Sequence, residues 1–475
     1  CKCYSSILNR RLSTWIESNG ILNDDQNGFR HARSCLDHIY VLYSIVKNRI
    51  LTKRSTFACF IDAKKAFDRV HHSCLWYKLY NVGIRGKMLS AIQSMYKSGS
   101  LRSCIRINNL VTDDFDIVCS VRQGDPESPT LFALYVNDLI DELNAANKGV
   151  ECGNERIAAL FYADDIVVIS ETVDGLQEQL NIVTEWCDKW RMELNQSKTK
   201  VLHFRPKSVT KTTYKFNCGH HDLDVIEKYK YLGLFFNDNM DENVIVNDVA
   251  KHATCALGGM ITKYNNTGGN MYETFTQFYE SYVQPVMLYG ASLWGGREYK
   301  KLNSIQHRAC KYFLGVPKTT SNAACQGDMG WLTVESKQKI EMARMWCRLQ
   351  NMKKDRLTYK IHKWSLSMSK RNIKNFEFCV RKELKLAKLL DQNADVEHVE
   401  SKSVLSLYRV YLNDKDNKNW YKNIWDDTGN EINRNKLRLY RLFKENIMVE
   451  NYVTEKMPFK YRRFFSHASV WISPT

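Results

Sequence analysis

The chain has 475 residues, of which 44% are hydrophobic and 12% aromatic; that composition excludes a disordered polymer and supplies apolar material for two or three domains with their own cores. The formal net charge is +17, and residues 331–475 hold 30 Lys and Arg against 17 Asp and Glu. The positive field is therefore concentrated in the C-terminal third, which points to nucleic acid, because phosphates reward clustered cations through counterion release. No apolar run approaches transmembrane length and there is no signal peptide, so no membrane partner is expected. The 15 cysteines are scattered, without a disulfide framework or paired zinc-like spacing, which fits a reducing intracellular setting, nuclear and cytoplasmic.

In chain order, residues 1–50 read as helix, loop, helix, with Leu8, Leu12, Trp15 and Ile16 on one face of the first. The loop Asp25-Gln26-Asn27-Gly28-Phe29-Arg30-His31-Ala32-Arg33-Ser34 offers Arg30 and Arg33 to phosphates; surface arginines ahead of a helix are the bland alternative. Thr56 to Ile61 reads as an apolar strand that delivers Asp62 at its end. Residues 72–99 look helical, interrupted at Gly83 and Gly86, and residues 101–119 alternate as a hairpin turning at Asn108-Asn109. Arg122-Gln123-Gly124-Asp125-Pro126-Glu127-Ser128-Pro129 is a defined loop before a helix from Thr130 to Leu139. Backbone amides and Gln123 there would approach a nucleotide or template.

Two short apolar strands, Ala158–Tyr162 and Ile166–Ile169, flank Ala163-Asp164-Asp165. Adjacent carboxylates at a hairpin tip repel unless a cation neutralises them, and oxygen-ligated Mg²⁺ is the natural partner. Asp62 also ends an apolar strand, so in one sheet it would share a site with them, as phosphoryl transfer on two metal ions requires. A helix from Gly175 to Trp190 is assigned to packing. Beyond it, Lys198 reads by itself as a surface turn lysine, with a general acid toward a leaving pyrophosphate as the functional alternative. Residues 206–228 read as a polar surface excursion, and Tyr229 to Leu234 as a strand pair. Residues 241–330 become helical, with breaks at Gly258-Gly259 and Gly268-Gly269. The basic remainder interleaves Trp346, Trp364, Trp420, Tyr421 and Trp425 with cations, a mixture suited to RNA stacking.

Tyr162-Ala163-Asp164-Asp165 between apolar strands resembles the catalytic core motif of reverse transcriptases. Taken in order with the loop at 25–34, Phe60-Ile61-Asp62-Ala63-Lys64-Lys65-Ala66-Phe67-Asp68, the Arg122-Gln123-Gly124 loop, Asn195 with Lys198, and Tyr229-Lys230-Tyr231-Leu232-Gly233, it resembles the RNA-directed DNA polymerase of LINE-type non-LTR retrotransposons. The resemblance covers about residues 1–325. It implies an α+β right hand: fingers and an antiparallel-sheet palm over 1–240, a helical thumb over 241–330, and a basic helical region over 331–475. It implies that Asp62, Asp164 and Asp165 hold two Mg²⁺ ions, with Mn²⁺ as an alternative. Phe67, Gln123 and Gly124 shape the nucleotide pocket, with Arg30 or Arg33 at the triphosphate, and Lys198 protonates pyrophosphate. Tyr231, Leu232 and Gly233 grip the primer. The partners are template RNA, primer or target DNA, and deoxynucleoside triphosphates. Two positions depart from the family pattern: Ser120 stands where Gly is common, and Glu127 stands where Leu is usual, which adds a charge near the phosphates. The chain carries neither the endonuclease nor the cysteine-rich part of full-length elements. Two rivals are an inactive remnant that only binds nucleic acid and a maturase-like intron-encoded enzyme; Ala163, where viral RNA polymerases usually have Gly, argues against a viral one.

Overall fold

The computed structural model describes residues 2–96, 102–113, 115–266, 271–390, 400–425, 437, 440–455, 461–463 and 466. Helix and sheet are mixed, and the chain divides into two compact units: Cys1–Met240 with Lys353–Asn375, and Asp241–Met352 with Phe376–Thr475. Residues 331–475 therefore do not form a unit of their own, since Lys353–Asn375 folds with the first.

The first unit is built on one five-stranded sheet. Its strands are β1 (Thr56–Asp62), β2 (Ala159–Tyr162), β3 (Asp165–Ser170), β4 (Lys200–Phe204) and β5 (Val225–Ile226), in the spatial order β5-β4-β1-β3-β2. The β4–β5 pair is parallel and the rest antiparallel. The three central strands are β-branched and aromatic and almost wholly buried, because both sheet faces are covered. Phe57, Cys59 and Ile61 face the main core, which they share with the helices Ser128–Ala145 and Val173–Trp190. On the opposite face, Phe60 stacks on Tyr229 at 4.3 Å between ring centroids.

The helices Lys2–Ser18 and Cys35–Leu51 bracket the expected first loop. The second starts where it does because Ser34 and Asp37 form a reciprocal capping box. The hairpin at 101–119 is two short ladders, Arg102–Ser103 with Phe115–Asp116 and Arg106–Ile107 with Leu110–Val111. The 206–228 stretch differs from its expected surface role. It forms the ladder Phe216–Cys218 with His221–Leu223, and Phe216 is fully buried against the core because its ring completes the edge beside Phe57.

In the second unit, the helix Glu242–Asn266 runs straight through Gly258-Gly259, where a break was expected. Leu257 and Met260 are buried on either side and hold the turn; tertiary packing outweighs the helix cost of glycine. Gly268-Gly269 lies outside the described residues. Tyr279 stacks on Trp331 at 4.4 Å. The buried Asp416 accepts bonds from the Thr333 backbone N–H and hydroxyl and from the Ser336 hydroxyl, which ties the long helix Ser401–Trp425 to the start of Val334–Gln350.

Candidate active site

Three carboxylates meet at one end of the central sheet. Asp62 is the last residue of β1 and Asp165 the first of β3, and the two are direct partners in the antiparallel register. Asp164 lies in the two-residue turn after β2, next to Ala163, whose φ of 59° is left-handed. Asp165 is pushed up to about 6, first by partial desolvation at the sheet end and then by the charges of Asp164 and Asp62, with Lys198 opposing. Lys198 Nζ stands 3.5 Å from Asp62 Oδ1 on a largely exposed side chain.

The backbone at Asp62 is fixed by the turn that leads into β4, its neighbour in the sheet. Its carbonyl accepts from Asn195 N at 2.7 Å, and its own N–H donates to Thr199 Oγ1 at 3.3 Å. Thr199 is 1% exposed, and sequence reasoning passed over it although it directly follows Lys198 of a recognised motif. Tyr229 opens the motif expected to grip the primer but was given no role of its own; its phenol is pushed up to about 12 by burial and then by the charges of Asp165 and Asp62.

The turn is flanked by the segment Asp25–Gly28. Phe161 N donates to the Asp25 carbonyl at 2.9 Å, and Asn27 N donates to the Phe161 carbonyl at 3.0 Å. A Cβ at Gly28 would lie 2.4 Å from Ala163 N; glycine is required there by close approach.

The other expected residues fall into two groups. Phe67 is half-buried and stacks on Phe132 at 4.8 Å. Gln123 donates to Asp68 Oδ1 at 2.8 Å, and Gly124 has φ 82° with open space around it. Leu232 and Gly233 form a left-handed pair at the tip of the hairpin Lys228–Tyr231 with Leu234–Asn237, whereas Tyr231 is buried behind it.

Arg30 and Arg33 are placed otherwise than expected. Arg30 makes a two-pronged pair with Glu17, at 2.7 and 2.9 Å, and bonds the carbonyls of Asn23 and Gln26. Arg33 pairs with Asp24 at 2.5 Å and donates to Asn27 Oδ1 at 2.7 Å. Both guanidiniums are nearly enclosed and committed to the loop and the helix before it, where they bind Glu17, Asp24 and loop carbonyls rather than face a triphosphate. Glu127 also differs: it projects into the core, not toward phosphates, and is fully buried with neither carboxylate oxygen hydrogen-bonded. Of the aromatics expected to stack on RNA, Trp346 and Trp420 are core residues, Trp364 is half-buried, and Tyr421 and Trp425 are exposed.

Among the described residues, no three His, Cys, Asp or Glu side chains stand close enough together to hold a metal ion as they are. The donor set suits a hard divalent cation in kind: it is all oxygen, and the charges of Asp164 and Asp62 add to the desolvation that raises Asp165. Asp164 and Asp165 are exposed and Asp62 is partly so, leaving their rotamers free to close on an ion. No helix among the described residues is long and apolar enough to cross a membrane.

A sheet that presents one carboxylate from a strand end and two from the neighbouring hairpin defines a polymerase-like core, and residues 1–236, which contain all three, match the family model for reverse transcriptase (RNA-dependent DNA polymerase). Through this region the chain belongs to the reverse transcriptase family, on its non-LTR, LINE-type retrotransposon branch. It is 24% identical over 362 residues to a probable RNA-directed DNA polymerase from transposon BS of Drosophila melanogaster, covering 74% of this chain and 39% of that protein. It is 28% identical over 236 residues to a Pol polyprotein of retrotransposable element R2 of Nasonia vitripennis, covering 48% of this chain and 23% of that protein. The chain thus spans about two-fifths or less of the length of these relatives. Among solved structures, telomerase from Candida albicans in complex with a fragment of telomeric RNA aligns over 66% of this chain and 55% of its own, with a TM-score of 0.41 and 11% identity.

Proposed function

We propose that the chain is an RNA-directed DNA polymerase that copies retrotransposon RNA into DNA, primed on a target DNA strand. The observation that carries this reading is the direct opposition of Asp62 and Asp165 across β1 and β3, with Asp164 in the adjoining turn. Asp62, Asp164 and Asp165 would hold two Mg²⁺ ions, or Mn²⁺, which activate a primer 3′-hydroxyl and stabilise charge on the leaving pyrophosphate. The protein groups would do the rest. Lys198 is exposed and close enough to Asp62 to supply a proton to pyrophosphate. The ring of Phe67, held against Phe132, forms a rigid wall for the incoming sugar. Gln123 and Gly124 line the approach of the nucleotide, and the exposed tip at Leu232-Gly233 is offered to the primer. On this reading residues 1–240 are fingers and palm of a right hand and 241–330 its thumb. The basic region 331–475 contacts nucleic acid, with Tyr421 and Trp425 among its accessible rings.

The test is extension of oligo(dT) on poly(rA) with Mg²⁺ and dTTP, beside Asp164→Asn. Extension by the parent that vanishes in the variant supports the reading. A second reading, a nucleic-acid-binding remnant, is favoured by the two departures: Ser120 holds a strained φ of 101° and Glu127 is a buried unpartnered acid. Salt-dependent RNA binding without extension would select it.

A further inference from the structure

The turn that carries Asp164 is held from outside the sheet by one side chain. Gln26 is fully buried, and its backbone lies parallel to Phe161. Its amide oxygen Oε1 reaches past the end of β2 and accepts two backbone N–H bonds, from Ala163 at 3.2 Å and from Gly28 at 3.0 Å. Ala163 is a non-glycine residue in the left-handed region, a conformation that persists only where the surroundings impose it. The Gln26 bond and the close approach of Gly28 are what impose it.

The residues behind Gln26 are tied down as well. Arg33 Nη1 donates to Asn27 Oδ1 at 2.7 Å, so the Asn27 amide nitrogen faces His38 Nδ1 at 2.8 Å and donates to it. That bond places the His38 proton on Nε2. The neutral ring stands edge-on to Tyr162 at 6.0 Å, one residue before Ala163. Arg33, Asn27 and His38 are thus linked side chain to side chain up to the ring of Tyr162, while Gln26, the residue before Asn27, bonds the turn itself.

We propose that Gln26 is a positioning residue: its single amide oxygen fixes the Ala163 backbone and so sets where Asp164 and Asp165 stand relative to Asp62. The catalytic consequence rests on the polymerase reading above; the structural consequence does not.

The experiment uses the full chain with Gln26→Met, which keeps the side-chain length and removes the acceptor, and Gln26→Glu, which keeps an acceptor oxygen. Hydrogen exchange of the peptide spanning 160–166 is expected to speed up about tenfold or more in Gln26→Met, with the hairpin at 228–237 unchanged, because one buried hydrogen bond is lost locally. Gln26→Glu is expected to exchange more slowly than Gln26→Met. In the extension assay, kcat is expected to fall about tenfold or more while KM for dTTP stays within about twofold, since carboxylate placement rather than nucleotide binding is disturbed. Unchanged exchange at 160–166 in Gln26→Met overturns the proposal, as does faster exchange with an unaltered kcat. If Gln26→Met gives no cooperative melt, Gln26→Asn, whose amide falls one methylene short of the turn, reads the same quantities. A parent that does not extend a primer defeats the polymerase reading, and the exchange result still decides whether Gln26 holds the turn.

Discussion

Asp62 and Asp165 are opposed Cα partners in the antiparallel pairing of β1 and β3. Directly opposed residues place their Cβ atoms roughly 4.5–5.5 Å apart, where like charges destabilise a sheet. The pairing is tolerable if a cation joins it. Two effects of Asp165→Asn follow, opposite in sign. Without divalent cation the variant should melt a few degrees higher than the parent, because the repulsion is gone. With millimolar Mg²⁺ the parent should gain thermal stability and the variant should not. Extension should fall by about three orders of magnitude or more, as expected when charge stabilisation at the reacting phosphorus is removed. A parent whose melting is indifferent to Mg²⁺ would count against a metal site here.

The sheet and its carboxylates were legible in the sequence because they obey local rules. Phe57 to Ile61 and Ile166 to Ile169 are short apolar runs too brief for helices; the first runs into Asp62 and the second starts straight after Asp165. What sequence could not convey is which polar groups find partners. Arg30 and Arg33 read as free cations in a loop, but their partners Glu17 and Asp24 sit at distances that depend on how the loop folds back. Gln26 has no signal of its own, since an amide that accepts from Ala163 is 137 positions away from it in sequence. Trp346 and Trp420 looked like Tyr421 and Trp425, and only the helix faces they occupy distinguish core from surface.

Glu127 gives a pH signature. Burial, followed by the neighbouring Asp125, raises its carboxyl from 4.5 to about 7, against the pull of Arg122. A raised acid binds its proton more tightly in the folded state, so its contribution is most favourable below about pH 4.5 and is lost as pH rises to about 7. The loss amounts to roughly 3 kcal/mol at neutral pH. Denaturant melts between pH 5 and pH 8 should therefore show the parent weakening relative to Glu127→Gln. Glu127→Leu should be more stable than the parent at pH 8, because it replaces an unpartnered acid with an apolar group. Equal slopes for parent and Glu127→Gln would place the acid in contact with water.

Ser120 is held at φ 101°. Its N–H donates to the Val70 carbonyl, and its carbonyl accepts from His72 Nε2 at 2.8 Å, so the backbone cannot relax without breaking both. Glycine removes the Cβ conflict but adds freedom to the unfolded chain, and loses the hydroxyl bond to the Val121 carbonyl. The net gain from Ser120→Gly should be about 1 kcal/mol. Chemical denaturation measures it directly; a destabilised variant would show that the hydroxyl bond outweighs the strain.

Arg33 separates a structural role from a substrate-binding one. Its guanidinium is almost enclosed and bound to Asp24 and to Asn27, which in turn orients His38. Arg33→Gln should lower stability by about 2–3 kcal/mol, the range for charge-assisted hydrogen bonds whose partners are left buried. KM for dTTP should stay within about twofold of the parent, because no free guanidinium is withdrawn from the phosphates. Steady-state extension at a temperature where both proteins are folded makes the comparison. A stable Arg33→Gln protein with KM raised about tenfold or more would instead return this arginine to the triphosphate, and would require the loop from Asp24 to Ser34 to open when a nucleotide binds.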